Sequence, residues 1–243
     1  MGLPRFHVPE AAPGARVHLP EHTAHHAREV LRLRSGAPVR IFDGAGHEYE
    51  AHLDAITREG VTARLAGPAP SRPESPLRIV LAVSPLKGDL MEWVIQKATE
   101  LGVAEVRPVV MVRTDAVARP ALRGSRQERW DKVASGAAEQ CGRAVVPRIG
   151  ATATLEALLA ERFDGLRLAL IETGDAPPLR SIQAGASSVL VLIGPAGGFD
   201  PREVERLTQS GFQPVGLGPR ILRAETAAVA ALAALQVLWG DLG

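Results

Sequence analysis

Two short stretches combine residue types and spacing suited to holding a ligand: "GPAGGFDPREVE" (194–205) and "LGPRILRAETAA" (217–228). The first packs three glycines and a proline into its opening five positions and then starts a helix. Asp200 stands as N-cap, Pro201 in the first turn and Glu203 in the capping-box position. The second repeats the order of strand end, Gly-Pro turn and helix. Glycines there let backbone N–H groups approach a ligand, because no Cβ intervenes and positive φ costs little. A tight turn holding nothing is the alternative for either loop alone. The spacing fits neither GxxxxGKS/T nor GxGxxG and no lysine follows, which disfavours a nucleotide phosphate. Two such loops would instead line one pocket and present backbone to an uncharged ring.

Charge offers a second clue. The chain is net +1, yet residues 107–148 carry nine basic residues (Arg107, Arg113, Arg119, Arg123, Arg126, Arg129, Lys132, Arg143 and Arg148) against four acids. A polyanion site and a solvated helix face explain that excess equally well. All seven histidines lie within the first 52 residues, and His22 and His26 are spaced to share a helix face. No cysteine or paired acid completes a set of ligands around them, so no metal is expected. Cys141 is the single cysteine, which excludes an internal disulfide; an inert buried thiol is expected.

These residues need elements to position them. Residues 1–66 read as a small, mostly β barrel: a short helix near 21–33, then two β-rich runs around Asp43-Gly44 and a further strand at "VTARL". Four prolines in "GPAPSRPESP" make 67–76 a linker. From 77 onward strands and helices alternate. "LRIVLAV" (77–83) is the continuous apolar run of a strand covered on both faces, followed by a helix with Asp89 and Glu92 as its box and Gly102 as its stop. "VRPVVMV", "LRLALIE", "SSVLVLIG" and "FQPVGLG" supply further strands. A helix boxed by Ser125 and Glu128 turns Trp130, Val133, Ala134, Ala137 and Cys141 inward, and a last helix spans 224–239. Short strand–helix–strand joints mean a parallel sheet, so 77–243 is an α/β domain whose ligands bind at the carboxyl edge of the strands. Hydrophobic content of 46% and charged content of 23% fit a globular protein. With no signal-like N-terminus and no apolar run long enough for a membrane span, a cytosolic protein is expected.

The sequence resembles one family along nearly its whole length. "RFHV", "HHAREVLRLRSGAPVRIFDGAGHEYEAHL", "KGDLMEWVIQKATELGV", "AAEQCGRAVVP" and "LIGPAGGFDPREVE" followed by "GFQPVGLGPRILRAETAAVAALAALQ" are similar, in that order, to the RsmE family of SPOUT methyltransferases, which methylate N3 of a uridine in 16S ribosomal RNA. The resemblance implies a PUA-like β-barrel joined to an α/β domain with a C-terminal trefoil knot, S-adenosylmethionine bent into the knot, and a homodimer. Two departures stand out: Ala196 where the family usually has Glu, and Cys141 where it usually has Ser. The implied cofactor contacts are Ile171 and Glu172, then Gly194, Pro195, Gly197 and Gly198, then Leu217, Gly218, Ile221, Leu222 and Arg223, with Thr226 closing the pocket. Arg223 or Arg220 would hold the uridine carbonyl oxygens. Glu225 would orient them or accept the proton, or serve only as an acid favoured by the helix dipole. RNA phosphates would meet Arg5, Arg16, Arg28, Arg32, Arg34, Arg126, Arg129 and Arg143, and folded RNA in an assembled small subunit is the expected substrate. An RNA-binding assembly factor with a decayed methyltransferase site is the alternative, favoured only by Ala196; a nucleotide-phosphate enzyme would need a lysine or metal-binding acids that are not arranged for it.

Overall fold

The computed structural model describes residues 2–115, 125–172, 176–183 and 187–243. Arg119 and Arg123 of the basic stretch, and the Ser125 side chain of the expected capping box, lie outside the described residues. The chain forms two compact units: Met1–Glu74 with Ser135–Val146, and Ser75–Ala134 with Pro147–Gly243. The domain expected over 77–243 is thus interrupted, residues 135–146 grouping with the first unit.

The first unit is a five-stranded sheet made of β1 (Arg5–His7), β2 (Arg16–His18), β3 (Pro38–Phe42), β4 (Glu48–Ile56) and β5 (Val61–Ala69), in the order β1-β3-β4-β5-β2. Alternation buries Val39 and Ile41 of β3, Ala51 and Leu53 of β4 and Val61, Ala63 and Leu65 of β5 in one core with Phe6. The turn expected at Asp43-Gly44 joins β3 to β4 as an antiparallel pair, and the Asp43 carboxylate accepts from the Ala45 and His47 N–H groups. Two expectations are corrected here. The helix near 21–33 is only α1 (Glu21–His25), continued by a π-turn over His26–Val30. The linker over 67–76 is partly strand: Gly67, Pro68 and Ala69 stand opposite Glu50, Tyr49 and Glu48, beyond the residues of β5 that pair with β2. Pro68 cannot donate to a ladder, so this outer end of the strand is where a proline fits.

Arg5, expected to meet RNA, is internal structure instead. Its guanidinium binds both Glu48 oxygens (2.8 and 3.1 Å) and the carbonyls of Ala138, Glu139 and Arg143, and lies 4.8 Å above the Phe42 ring centre. All five donors are engaged, which leaves none for a phosphate. Arg143 is corrected likewise: its side chain is 11% exposed and clamped on Glu74.

Glu139 accepts from the His7 N–H at 2.9 Å. Burial pushes its carboxyl up to about 7 from 4.5, against the pull of that N–H and of Arg5. Below about pH 4.5 the carboxyl is protonated whether the chain is folded or not. As pH rises from there to 7 the unfolded chain ionises while the native one keeps its proton, so stability falls, by about 3 kcal/mol in total above pH 7. Burial lowers the pKa of the neighbouring His7 ring, whose effect has the opposite slope and is common to both proteins compared. Glu139→Gln, which keeps an acceptor, is therefore expected to gain up to about 3 kcal/mol over the native chain at pH 8 and nothing at pH 4. Denaturant titrations at the two pH values measure this.

The second unit is a parallel sheet made of β6 (Arg78–Val83), β7 (Glu105–Val110), β8 (Arg148–Ile149), β9 (Ala153–Thr154), β10 (Leu166–Leu170), β11 (Ser188–Ile193) and β12 (Gln213–Val215). Its order is β12-β10-β11-β6-β7-β8, with β9 also on β7. β6 and β11 lie at its centre, and every residue from Ile79 to Val83 and from Val189 to Ile193 is buried, as unbroken apolar runs require. Its helices are α2 (Leu90–Glu100), the first part of α3 (Ser125–Cys141), α4 (Leu155–Ala160), α5 (Pro201–Gln209) and α6 (Ala224–Trp239). Asp89 precedes α2 but its side chain caps nothing: its backbone is at φ −87°, ψ 0° rather than in the extended N-cap conformation, and it and Glu92 both meet Arg129 (3.4 and 2.7 Å). The expected box gives way to a tertiary ion pair. Trp130, Ala134 and Ala137 are buried as expected, while Val133 and Cys141 are half-buried.

Candidate functional site

At the carboxyl ends of β10, β11 and β12 the second unit holds a cavity of about 1010 Å³. That is at the upper end of small-molecule sites, roughly 300–1,000 Å³. Three loops wall it. Ile171 and Glu172 continue from β10, and Gly194, Pro195, Gly197 and Gly198 from β11; Leu217, Gly218, Arg220, Ile221 and Leu222 follow β12.

The first glycine loop has separate local reasons for its residues. Gly198 sits at φ +70°, closed by its N–H on the Pro195 carbonyl at 2.9 Å. Gly194 is buried, and a Cβ on it would stand 2.7 Å from the Phe199 ring. The loop then enters α5 through the capping box: Asp200 Oδ1 accepts from the Arg202 N–H at 3.1 Å and Glu203 Oε2 from the Asp200 N–H at 3.0 Å. Glu203 is buried, and its other oxygen accepts from the Val112 N–H at 2.8 Å. One side chain thus ties the loop to the turn that follows β7.

That turn carries Arg113, which sequence reasoning counted only within the basic stretch. Thr114 is buried, meets the Ser84 hydroxyl at 2.8 Å and accepts from the Met111 N–H at 2.8 Å. Arg113, so presented, lines the cavity and donates from Nη1 to the Gly197 carbonyl at 3.2 Å. Phe199 was also missed, although it stands inside the quoted motif; its ring lines the same cavity. No local signal marks either, because both are defined by distant partners.

The loop after β12 is fixed at Gly216, whose N–H donates to the Pro177 carbonyl and whose carbonyl accepts from the Leu179 N–H. Gly218 at φ +112° then turns the chain so that Ile221, 78% exposed, stands at the cavity. Three expected site residues are not brought into its wall. Arg223 is the exposed N-terminal flank of α6. Thr226 points outward because Ala224, Ala227 and Ala228 occupy the helix's buried face. Glu225 is half-buried in the first turn, where a negative charge suits the helix dipole.

The remaining cations expected to meet RNA belong to both units. In the first unit Arg16 pairs with Asp54 and Arg28 with Glu29, while Arg32 and Arg34 are exposed. In the second, Arg126 is half-buried and Arg129 is engaged as described. Among the described residues no three His, Cys, Asp or Glu side chains group to hold a metal ion, and no helix is long and apolar enough to cross a membrane.

Among the described residues the cavity has backbone walls, an apolar lining and Glu172, Arg113 and Arg220 as its charged groups, a set poorly suited to a triphosphate and its metal. Comparison with known proteins agrees with that chemistry. Residues 73–236 match the model of an RNA methyltransferase domain and residues 19–66 that of an RNA methyltransferase PUA domain. The chain is 33% identical to ribosomal RNA small subunit methyltransferase E of Bacillus subtilis, over 89% of this chain and 90% of that one. It is similar to the crystal structure of ribosomal RNA small subunit methyltransferase E from Neisseria gonorrhoeae bound to S-adenosyl methionine, with TM-score 0.89, 35% identity and full coverage of both chains. A methyltransferase from Legionella pneumophila, in complex with the bound cofactor SAM, aligns with TM-score 0.93 at 34% identity, again over the whole of both chains. With a PUA-like first unit, a parallel α/β second unit and glycine loops around one cavity, the chain belongs to the ribosomal RNA small subunit methyltransferase E family, of SPOUT type.

Proposed function

We propose that this protein transfers a methyl group from S-adenosylmethionine to N3 of a uridine in 16S ribosomal RNA, and that it does so on the assembled small subunit. The observation that carries the reading is the cavity itself: glycine loops from two strand ends offer backbone to a ring, with no phosphate-binding lysine or metal-holding cluster beside them among the described residues. Its residues fit the cofactor. Ile171, Leu217 and Leu222 are apolar faces for the adenine, the loop glycines let backbone come close to it, and Glu172 offers acceptors to ribose hydroxyls or an ammonium group. When bound, the cofactor supplies a methyl group already activated by its sulfonium.

The protein's own task is the uridine. N3 carries a proton at neutral pH, and its lone pair is delocalised over two flanking carbonyls, so attack requires loss of that proton and stabilisation of the resulting anion. A guanidinium fork on those carbonyls provides the stabilisation. Arg220 on the cavity wall is placed for it, with Arg223 in support at the start of α6. Glu225 serves the helix terminus rather than the proton, which passes to solvent water. Arg220→Ala is expected to lower kcat about 100- to 1,000-fold, the cost of one preorganised donor, with cofactor affinity within threefold of the parent; Arg223→Ala is expected to cost less. Single-turnover methyl transfer beside cofactor titration separates the two effects, and an unchanged rate in both variants sinks the assignment.

Two structural features go with this reading. The chain runs from β12 at one sheet edge back to α6, which packs over β6 and β11, a return that supports the knotted path of the family. α2 and α6 pack together and leave Leu90 and Trp93 on one and Val237 and Leu238 on the other exposed, apolar surface that supports a homodimer. An rRNA substrate places the work in the cytoplasm. A binding-only role rests on Ala196 alone, an exposed residue whose neighbouring glycines are intact.

A further inference from the structure

In the first unit the segment between Ala27 and Leu33 is anchored at both ends and displaced outward between them. Ala27 is fully buried, Leu33 packs on the barrel core, and the Leu33 N–H donates to the Ala27 carbonyl at 3.0 Å. Between these anchors the π-turn closes with the Leu31 N–H on the His26 carbonyl at 3.0 Å. Arg32 follows at φ 51°, the one non-glycine residue in left-handed backbone among the described residues. L side chains adopt that region only where their surroundings hold them, and both devices concentrate at functional sites.

Their combined result is exposure. Val30 is 64% and Leu31 40% exposed, against a barrel core that buries nearly every other large aliphatic. Arg32 and Arg34 flank them in solvent, while Arg28 is occupied by Glu29 (2.7 Å) and the Thr57 carbonyl (3.0 Å). The projecting surface is therefore two aliphatic side chains beside two solvent-exposed cations.

We infer that residues 30–34 form an RNA-contact tip, with Val30 and Leu31 against the faces of unpaired bases and Arg32 and Arg34 on the adjoining phosphates. The inference rests on the proposed RNA substrate and deepens it, naming the barrel's contact point and the kind of RNA it takes. Charge complementarity calls for a polyanion, and a single strand offers apolar base faces beside phosphates. Two aliphatic side chains are too few for a membrane, where even a single myristoyl chain binds only marginally.

The test compares the full-length chain with Arg32→Gly and with the double variant Val30→Ser/Leu31→Ser, each bound to small ribosomal subunits and to their ribosomal RNA over a salt series and melted thermally. Arg32→Gly is expected to melt no lower than the parent, because glycine suits φ 51°. It should bind RNA more weakly, with the slope of log K against log salt reduced by about 1. The double variant should lose about tenfold in affinity for rRNA with its slope unchanged, because apolar contact area and no charge is removed, and nothing on a fully paired duplex. Unchanged cofactor affinity in every variant shows that the methyltransferase unit is intact. If the parent binds rRNA and all variants bind it equally, the tip is wrong while the RNA reading stands. If the parent binds neither subunits nor rRNA, both fall. Unchanged rRNA affinity with lost adsorption to phosphatidylserine vesicles would assign the tip to a membrane and overturn the inference.

Discussion

Gly194→Ala is expected to weaken S-adenosylmethionine binding about 100-fold while the barrel unit keeps its fold. The added Cβ would meet Phe199 at 2.7, 2.9 and 3.0 Å, distances that ordinary contacts do not reach. Phe199 lines the cavity, so relief comes either by driving its ring into the cofactor's space or by moving the loop that starts at Gly194. Overpacking of this kind costs about 1–3 kcal/mol, and at the proposed site the groups that must move are those that hold the cofactor, so the cost falls on binding; the upper figure corresponds to a little over 100-fold. Phe199→Leu in the same chain makes room and should recover part of the loss. Calorimetric titration of the single and double variants checks both statements. Equal affinity in parent and Gly194→Ala would mean that the loop does not hold the cofactor.

Glu203→Ala is expected to destabilise the second unit by about 2–4 kcal/mol and to weaken the cofactor as well. The carboxylate is buried and accepts from two backbone donors, Asp200 N–H and Val112 N–H, on segments far apart in sequence. Removing it leaves both donors unmatched, at about 1–3 kcal/mol each. It also unties the turn bearing Arg113 from the glycine loop, whose Gly197 carbonyl Arg113 holds. Glu203→Gln keeps an acceptor for one donor and should cost about half as much. Denaturant unfolding followed through Trp fluorescence measures the first effect and cofactor titration the second. Loss of stability without loss of affinity would confine Glu203 to capping.

Much of this arrangement was readable locally. A box such as Asp200 and Glu203, a buried run such as 79–83 and an alanine-rich helix such as 224–239 are each decided by residues near in sequence, so pattern suffices. Both Gly-Pro loops could be placed at strand ends for the same reason, and the resemblance added what occupies them. The failures share the opposite cause. Arg113 is a site residue only because Glu203 and Gly197, over eighty positions away, receive its turn and its side chain. Asp89 meets Arg129, forty positions on, instead of capping, and Arg5 lost its free donors to Glu48 and the end of α3. The π-turn after α1 has the same composition as a continued helix, and no period in the sequence distinguishes a bond to the fifth residue from one to the fourth.

The central claim is tested most directly by transferring labelled methyl from S-adenosylmethionine to small ribosomal subunits that lack the modification, and to naked 16S RNA in parallel, then mapping the labelled nucleotide. The account predicts label on N3 of one uridine in subunits, with little in naked RNA, and its loss in Arg220→Ala. RNA bound by the protein with no label in either substrate, or label on another atom, would contradict it.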